Sequence, residues 1–476
     1  MKYCIIKIYL FLITAVTVSS CVSIKPTADK SFINAPNVYL TSNDSTKNIA
    51  GIKADLFFED AKLISLIDTG IANNIDLQAA FQNIELAKAN VRFAKGLLLP
   101  TVSAGVNAGV QKFGDYTMDG AGNKGTEIYN GKDIPKHLPD FSVGFISSWE
   151  LDVWKKLKNK KQAALSRYLS SEEGKNWVQT NLITEIAGNY YELLSLDNET
   201  EIIKENIALQ EKALSVVKIQ KEADRSTELA IKQFEAQILN AKAAAKELQQ
   251  SIVLVESNIN LLLGRYPQPV ERSKLNDNTF LLAKINTGIP SQLLQNRPDI
   301  RQAELELAAA KLDVKAARKS FYPTVNLSAG IAVNAFDPSL LLKPQSFAYG
   351  IFGGLLAPIF NRSAIEAEYL SANAMQKQML LNYQKSILNG FYEVYTGQKQ
   401  IENLVSISSI KNEEVTALEK AIQAATLLYK ASRADYLEVL FAQQRLLETR
   451  LTVNQLIKNQ LLSTVNIYKA VGGGWR

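Results

Sequence analysis

The chain has 476 residues, of which 47% are apolar and 21% charged, with a formal net charge of +6. Its length suits two or three ordinary domains or one large architecture built by duplication. So modest a charge, with no basic run interleaved with aromatics, argues against a nucleic-acid partner.

Lys2 and Lys7 flank or interrupt a short apolar segment, Ile5 to Val18, which runs into Val18-Ser19-Ser20-Cys21. A segment of that length reads as a secretory signal over residues 1–20 and is too short to span a bilayer. The small residues before Cys21 resemble a bacterial lipobox, in which cleavage precedes an acylated cysteine. The plainer alternative is an ordinary signal with Cys21 incidental. Loss of Lys2 and Lys7 with the signal takes the charge from +6 to +4, and loss of Cys4 leaves one cysteine and no internal disulfide. No later stretch is apolar over the ~18 residues a helix needs, so a bilayer crossing falls to strands in a closed barrel.

Residues 21–56 are polar and irregular, and read as a lipid-anchored tail. Helix signals cover about 57–72 and 75–98. A strict two-residue alternation follows over about 100–112, with Val102, Ala104, Val106, Ala108 and Val110 on one side and Ser103, Gly105, Asn107 and Gly109 on the other. A loop rich in Gly, Asp and Asn spans 114–136. A second alternation, over about 139–154, puts Phe141, Val143, Phe145, Ser147, Trp149, Leu151 and Val153 together, with Ile146 an exception on the other side. From Lys155 to about Lys221 there is no proline, which predicts a helix on the order of 100 Å long at 1.5 Å per residue. A break at 222–227 precedes a heptad seam: Ile231, Phe234, Ile238, Ala241, Ala245, Leu248, Ile252, Val255, Ile259 and Leu262. An irregular linker covers 264–295.

The pattern then restarts. Asp299-Ile300 and Ala303 match Asp76-Leu77 and Ala80, and Pro323-Thr324-Val325 matches Pro100-Thr101-Val102. Strand patterns recur at about 323–335 and 346–360, a long helix follows, and a second tip falls near 430–434. The closing heptad (Val439, Ala442, Leu446, Thr449, Val453, Leu456) sits at an offset of 208 from the first. The chain reads as a duplication, 57–263 and 296–476, each half built as helix, two strands, very long helix, break and coiled-coil helix.

Each strand of about 11 residues, tilted near 45°, rises about 26 Å, the height of an outer-membrane apolar band. Singly, such alternation usually means a soluble sheet on a core. Four of them, behind a secretory signal, read as strands with an apolar lipid face and a small polar lumen face. Four strands cannot close a barrel, so chains must pool them. Two chains give eight strands, whose interior these small residues would fill poorly, and three give twelve. The long antiparallel helices then continue the pore as a tube.

Several motifs resemble the TolC/OprM family of outer-membrane efflux ducts, in its lipidated branch. They are Trp149-Glu150-Leu151-Asp152, Asn296-Arg297-Pro298-Asp299-Ile300-Arg301, Leu355-Leu356-Ala357-Pro358-Ile359-Phe360, Tyr436-Leu437-Glu438-Val439-Leu440 and Gly472-Gly473-Gly474-Trp475. The resemblance implies a mainly helical chain with membrane strands, a homotrimer with a shared twelve-stranded barrel in outer-membrane lipid, and a periplasmic helical barrel. It also implies a periplasmic adaptor and an inner-membrane pump of the resistance-nodulation-division type as partners. In such ducts acidic residues ring the closed tip. Here Glu438 takes the first acidic position and Phe441 the second, which favours a single carboxylate ring with an apolar collar. The alternative for Glu438 and Asp435 is that they complement a helix dipole.

Trp149, Glu150, Asp152, Arg297 and Asp299 read as structural residues where the two barrels meet. Lys155, Lys156, Lys158, Lys160 and Lys161 open a helix with the wrong sign for its dipole. They meet inner-leaflet phosphates or form a solvated face. Gly472 to Gly474 follow a helix and so make no phosphate cradle. His137 is the single histidine, so no histidine triad and no histidine or cysteine metal cluster can be built, and no cofactor or enzymatic site is expected. The functional reading is a passive exit duct for drugs or other small toxic compounds. A protein-secretion duct of the same fold is one alternative, and a lipid-anchored coiled-coil scaffold or adaptor is another.

Overall fold

The computed structural model describes Tyr39 and residues 49–129, 131–275, 287–359, 363–431 and 433–476. The expected signal and Cys21 lie outside the described residues, as does part of the linker at 276–286. Among the described residues there are seven long helices: α1 (Ala61–Asn73), α2 (Ile75–Gly96), α3 (Lys156–Glu222), α4 (Glu228–Leu262), α5 (Pro298–Lys319), α6 (Ser363–Lys430) and α7 (Tyr436–Ala470). Four long strands accompany them: β1 (Thr101–Gln111), β2 (Leu138–Leu151), β3 (Thr324–Ala335) and β4 (Phe347–Leu356). The halves match in length, with 22 residues in α2 and α5, 67 and 68 in α3 and α6, and 35 in both α4 and α7.

Local chemistry fixes the helix starts. Asp60 caps α1 at Lys62 N (2.9 Å), Asn74 caps α2 at Leu77 N (2.8 Å) and Thr227 caps α4 at Ala230 N (3.3 Å). Near the sheet, α3 lies between α2 and α5, and α5 also packs on α6. Farther along, α3 packs on α4 and α7, and α7 on α6. α3 and α6 therefore run through both levels, while α2 and α5 serve the upper level and α4 and α7 the lower. The main core lies where the levels meet, around Leu63, Ile67, Ile183, Ile186 and Tyr190, with Phe57 stacked 4.0 Å from Tyr468. A second cluster at the far tip joins Val217, Ala230, Ile231, Phe234 and Tyr436.

The sheet is an antiparallel meander in the order β1-β2-β3-β4. β2 stops at Leu151, short of the expected 154, because Asp152 turns out of the ladder to cap α3. β4 stops at Leu356, just before Pro358, which cannot donate to a ladder. The loop expected at 114–136 contains a short helix, Met118–Gly122, and a small hairpin pairing Glu127–Tyr129 with Lys132–Asp133.

Candidate functional site

Directly opposed residues of an antiparallel pair point to the same face. Val106 faces Val143, Val143 faces Val333, and Val333 faces Phe347, while Ala104, Phe145, Ile331 and Tyr349 form the next row. Followed through the register, this face carries only apolar or aromatic residues apart from Ser147 and Gly353. The opposite face reads Gly105, Gly144, Ala332 and Ala348 in one row and Asn107, Ser142 and Asn334 in the next. Asn107 donates to Ser142 Oγ across that face at 3.3 Å. Four bulky apolar side chains interrupt it, Leu138 and Leu356 at strand ends and two nearer its middle. Ile146 shares its row with Ser103, Gly330 and Gly350, and the Phe352 ring lies over Gly350, where a Cβ would come within 2.8 Å. The apolar face is open, with Val106 77% and Ile351 71% exposed. β1 and β4 each leave one backbone edge unpaired among the described residues.

Trp149, Glu150 and Asp152 fasten the sheet to the helices. The Trp149 indole donates to Leu98 O (3.0 Å), where α2 gives way to β1. Glu150 pairs with Lys156 at 2.5 Å. The Asp152 carboxylate accepts from Leu157 N (2.8 Å) and Lys158 N (2.7 Å), satisfying two of the free donors that open α3. That anion offsets the adverse charge of the five lysines, and Lys155 takes a left-handed backbone (φ 63°) to make the turn. Alongside, the Trp154 indole donates to Pro323 O (2.6 Å) and its ring stacks on Tyr322.

Arg297 and Asp299 are not part of this junction, contrary to their expected grouping. Arg297 lies against Trp177, with 5.3 Å from guanidinium to ring. Trp177 is 21 residues into α3, about 30 Å from the sheet end. The Arg297 side chain is 1% exposed and joins three elements. It makes a bidentate pair with Asp299 (3.0 and 2.7 Å), pairs with Glu393 of α6 (2.6 Å) and donates to Ala470 O at the end of α7 (2.9 Å). Burial disfavours its charge, but the pairs with Asp299 and Glu393 outweigh that and hold its pKa above the ordinary arginine value. Gly472 to Gly474 close the same junction by close approach. Thr180 donates to Gly473 O (3.0 Å), and Trp475 reaches Asn296 O (3.1 Å).

At the far tip Asp435, Glu438 and Phe441 follow at intervals of three along the start of α7, and all are exposed, Phe441 at 62%. The Asp435 side chain makes no cap bond, and Glu438 stands in the first turn. Tyr436 holds this end in place: its hydroxyl donates to Gln233 Oε1 (2.5 Å) and its ring packs by Phe234. Sequence reading missed this anchor, although a tyrosine directly after a helix break was available as its signal. Among the described residues no cluster of His, Cys, Asp and Glu could hold a metal ion, and no helix is long and apolar enough to cross a membrane.

The sequence model of the family described as "Outer membrane efflux protein" matches residues 66–265 and 289–473. Cation efflux system protein CusC of Escherichia coli O6:H1 is 28% identical over 420 residues, 88% of each chain. Pyoverdine export outer membrane protein OpmQ of Pseudomonas aeruginosa is 28% identical over 88% of this chain and 86% of that one. "Probable outer membrane lipoprotein SilC" of Salmonella typhimurium is 25% identical over 97% of each. A solved structure of CusC, in work on folding and transmembrane channel formation, superposes with a TM-score of 0.81 at 25% identity, covering 95% of this chain and all of that one.

Proposed function

We propose, from the premise that this chain belongs to the outer membrane efflux protein family, that three copies close one pore and serve as the passive outer-membrane duct of an efflux system. The observation that carries the proposal is a four-stranded sheet with one continuous apolar face, one small polar face and two unpaired edges. A sheet open at both edges and apolar on its outer side is stable in lipid only if other strands complete it. Three copies give twelve strands around a lumen lined by Ser103, Gly105, Asn107, Asn326, Ser328 and Gly330. The unbroken α3 and α6 carry the passage on for about 100 Å, enough to cross an aqueous compartment.

The duct supplies no energy, so an inner-membrane pump and a periplasmic adaptor complete the system. Cargo selection belongs to those partners. Relatives named for cation efflux and for pyoverdine export stand at the same 28% identity, as expected of a conduit indifferent to cargo. Acylation of Cys21 tethers the N-terminus to the same membrane, consistent with the lipoprotein naming of SilC. At the tip, threefold repetition turns Glu438 into a carboxylate ring and Phe441 into an apolar collar, with Asp435 at the rim. The division into repeats 57–263 and 296–476 joined by the 264–295 linker is part of this reading.

The test is the mass of the complex extracted in mild detergent, corrected for bound detergent, followed by planar-bilayer conductance. Three protomers and a discrete conductance are expected. A chain that stays monomeric under the gentlest extraction would leave the sheet unclosed and favour the scaffold reading.

A further inference from the structure

Just beyond the sheet, α2 and α3 enclose an open groove of about 570 Å³ lined by Lys88, Arg92, Lys95, Leu165 and Tyr168 among others. Lys88 is engaged by Glu85 (2.6 Å), which also lines the groove. Arg92 and Lys95 are exposed, and neither side chain has an ion pair or hydrogen bond among the described residues. Lys95 stands one residue before the end of α2 and six residues before β1 begins.

The side of the wall on which this groove opens follows from the Glu150 pair. Glu150 faces Asn326, on the small polar side of the sheet, and Lys156 reaches back to it. At about 100° per residue, Leu165 lies about 180° round α3 from Lys156, Lys158 about 200° and Lys161 about 140°. All three stand on the side of the apolar face, outside the lumen. The Leu165 groove with Arg92 and Lys95 thus opens outward, directly under the apolar band and its Trp149 and Trp154 edge. Lys158 and Lys161 stand above it, their side chains also without partners among the described residues.

Dipole chemistry accounts for Lys95, which sits in the last turn of α2, but not for Lys158 and Lys161 near the start of α3. The corresponding start of α6 carries Glu366, as the dipole prefers. We infer that this outward groove, with Arg92, Lys95, Lys158 and Lys161, binds the headgroups of anionic phospholipids in the leaflet that borders the helices. A cationic rim, an apolar floor at Leu165 and a position at the edge of the band match a phosphate joined to the start of an acyl chain. The inference rests on the sheet lying in a bilayer, as proposed above.

The experiment is native mass spectrometry of the full-length complex in mild detergent, titrated with dioleoylphosphatidylglycerol or dioleoylphosphatidylethanolamine. The anionic lipid should bind more tightly. Arg92→Gln/Lys95→Gln and Lys158→Gln/Lys161→Gln should each weaken it, by about fivefold per charge removed at low salt. The control Lys212→Gln/Lys246→Gln removes the same charge far down the helices and should leave binding unchanged. A trimer that binds both lipids equally, or loses as much in the control, overturns the headgroup site and leaves the duct reading intact. If inorganic phosphate binds as tightly as the lipid, the lipid assignment falls. A monomer without conductance removes both readings together.

Discussion

Two places where a lower helix ends against the start of an upper one stand at matching positions in the two halves of the chain, yet are held by different chemistry. At the first, α4 meets α2. The N-cap Asn74 donates to Leu262 O (2.9 Å), and Gly264, in a left-handed conformation (φ +65°), passes so close that a Cβ would come within 2.5 Å of Asn73 O. At the second, α7 meets α5. The N-cap Arg297, at Asn74 plus 223, donates to Ala470 O, at Leu262 plus 208. Gly472, at Gly264 plus 208, takes φ +92° and would place a Cβ 2.4 Å from Asn296 O. Backbone geometry is kept in both copies, but a neutral amide in one becomes a buried ion network in the other. Asp76, the counterpart of Asp299, is exposed in the first copy, whereas Asp299 clamps Arg297 in the second. The two halves thus share where the chain must turn and differ in which polar group satisfies the last carbonyl.

Arg297→Ala should have the largest effect. It strands Asp299 and Glu393 without their cation and Ala470 O without a donor, a loss on the order of 3–5 kcal/mol. Thermal unfolding of the detergent-solubilised complex reads it directly. Arg297→Asn transplants the first junction into the second. It should recover only about 1 kcal/mol of that loss, the share of the carbonyl bond. Full recovery would mean that the ion pairs contribute nothing. Gly264→Ala and Gly472→Ala should rank next and be nearly equal, at roughly 1–3 kcal/mol each, because both combine a positive φ with a backbone oxygen in the path of the new methyl. Clearly unequal midpoints would show that the two turns are not equivalent.

Much of this was legible in the sequence where a single period governs. The alternation from Val102 to Val110 coincides with β1 because a pleated strand has no other way to present one apolar face, and the absence of proline between Lys155 and Lys221 coincides with an unbroken α3. Strand ends were not legible, since Asp152 leaves the ladder for a capping role that depends on where α3 begins. The place of Arg297 was not legible either. Its partner Ala470 lies 173 residues away, and only the folded end-to-end meeting of α7 and α5 brings them together. The Asn74 to Leu262 bond, 188 residues apart, is hidden for the same reason. The apolar face could be read from one strand alone, but the unpaired edges of β1 and β4 required the order of all four.

Asn74→Ala tests the neutral junction and should cost less than Arg297→Ala at the charged one. It removes the cap on Leu77 N and the bond to Leu262 O together, about 1–2 kcal/mol. The ratio of this loss to that of Arg297→Ala measures how far the two copies have diverged. A loss equal to that of Arg297→Ala would remove the distinction drawn between them.

The smallest effect separates the junctions by pH. Tyr468 beside the second junction corresponds to Asn260 beside the first, at the same offset of 208. Tyr468 is 1% exposed and donates to Ile52 O (2.6 Å), and burial pushes its phenol up to about 12. An unfolded tyrosine ionises near 10. Folding therefore holds the proton more tightly, so this contribution is complete below about pH 10 and is lost as pH rises towards 12. Tyr190, raised to about 12 by burial and then by its bond to Asp60, adds a slope of the same sign. Tyr468→Phe should lower the midpoint slightly at neutral pH, through the lost bond to Ile52, and make its decline above pH 10 shallower. Asn260 cannot titrate, so the first junction adds nothing to that slope. If the alkaline decline is as steep in Tyr468→Phe as in the wild type, the proton is not held at the second junction.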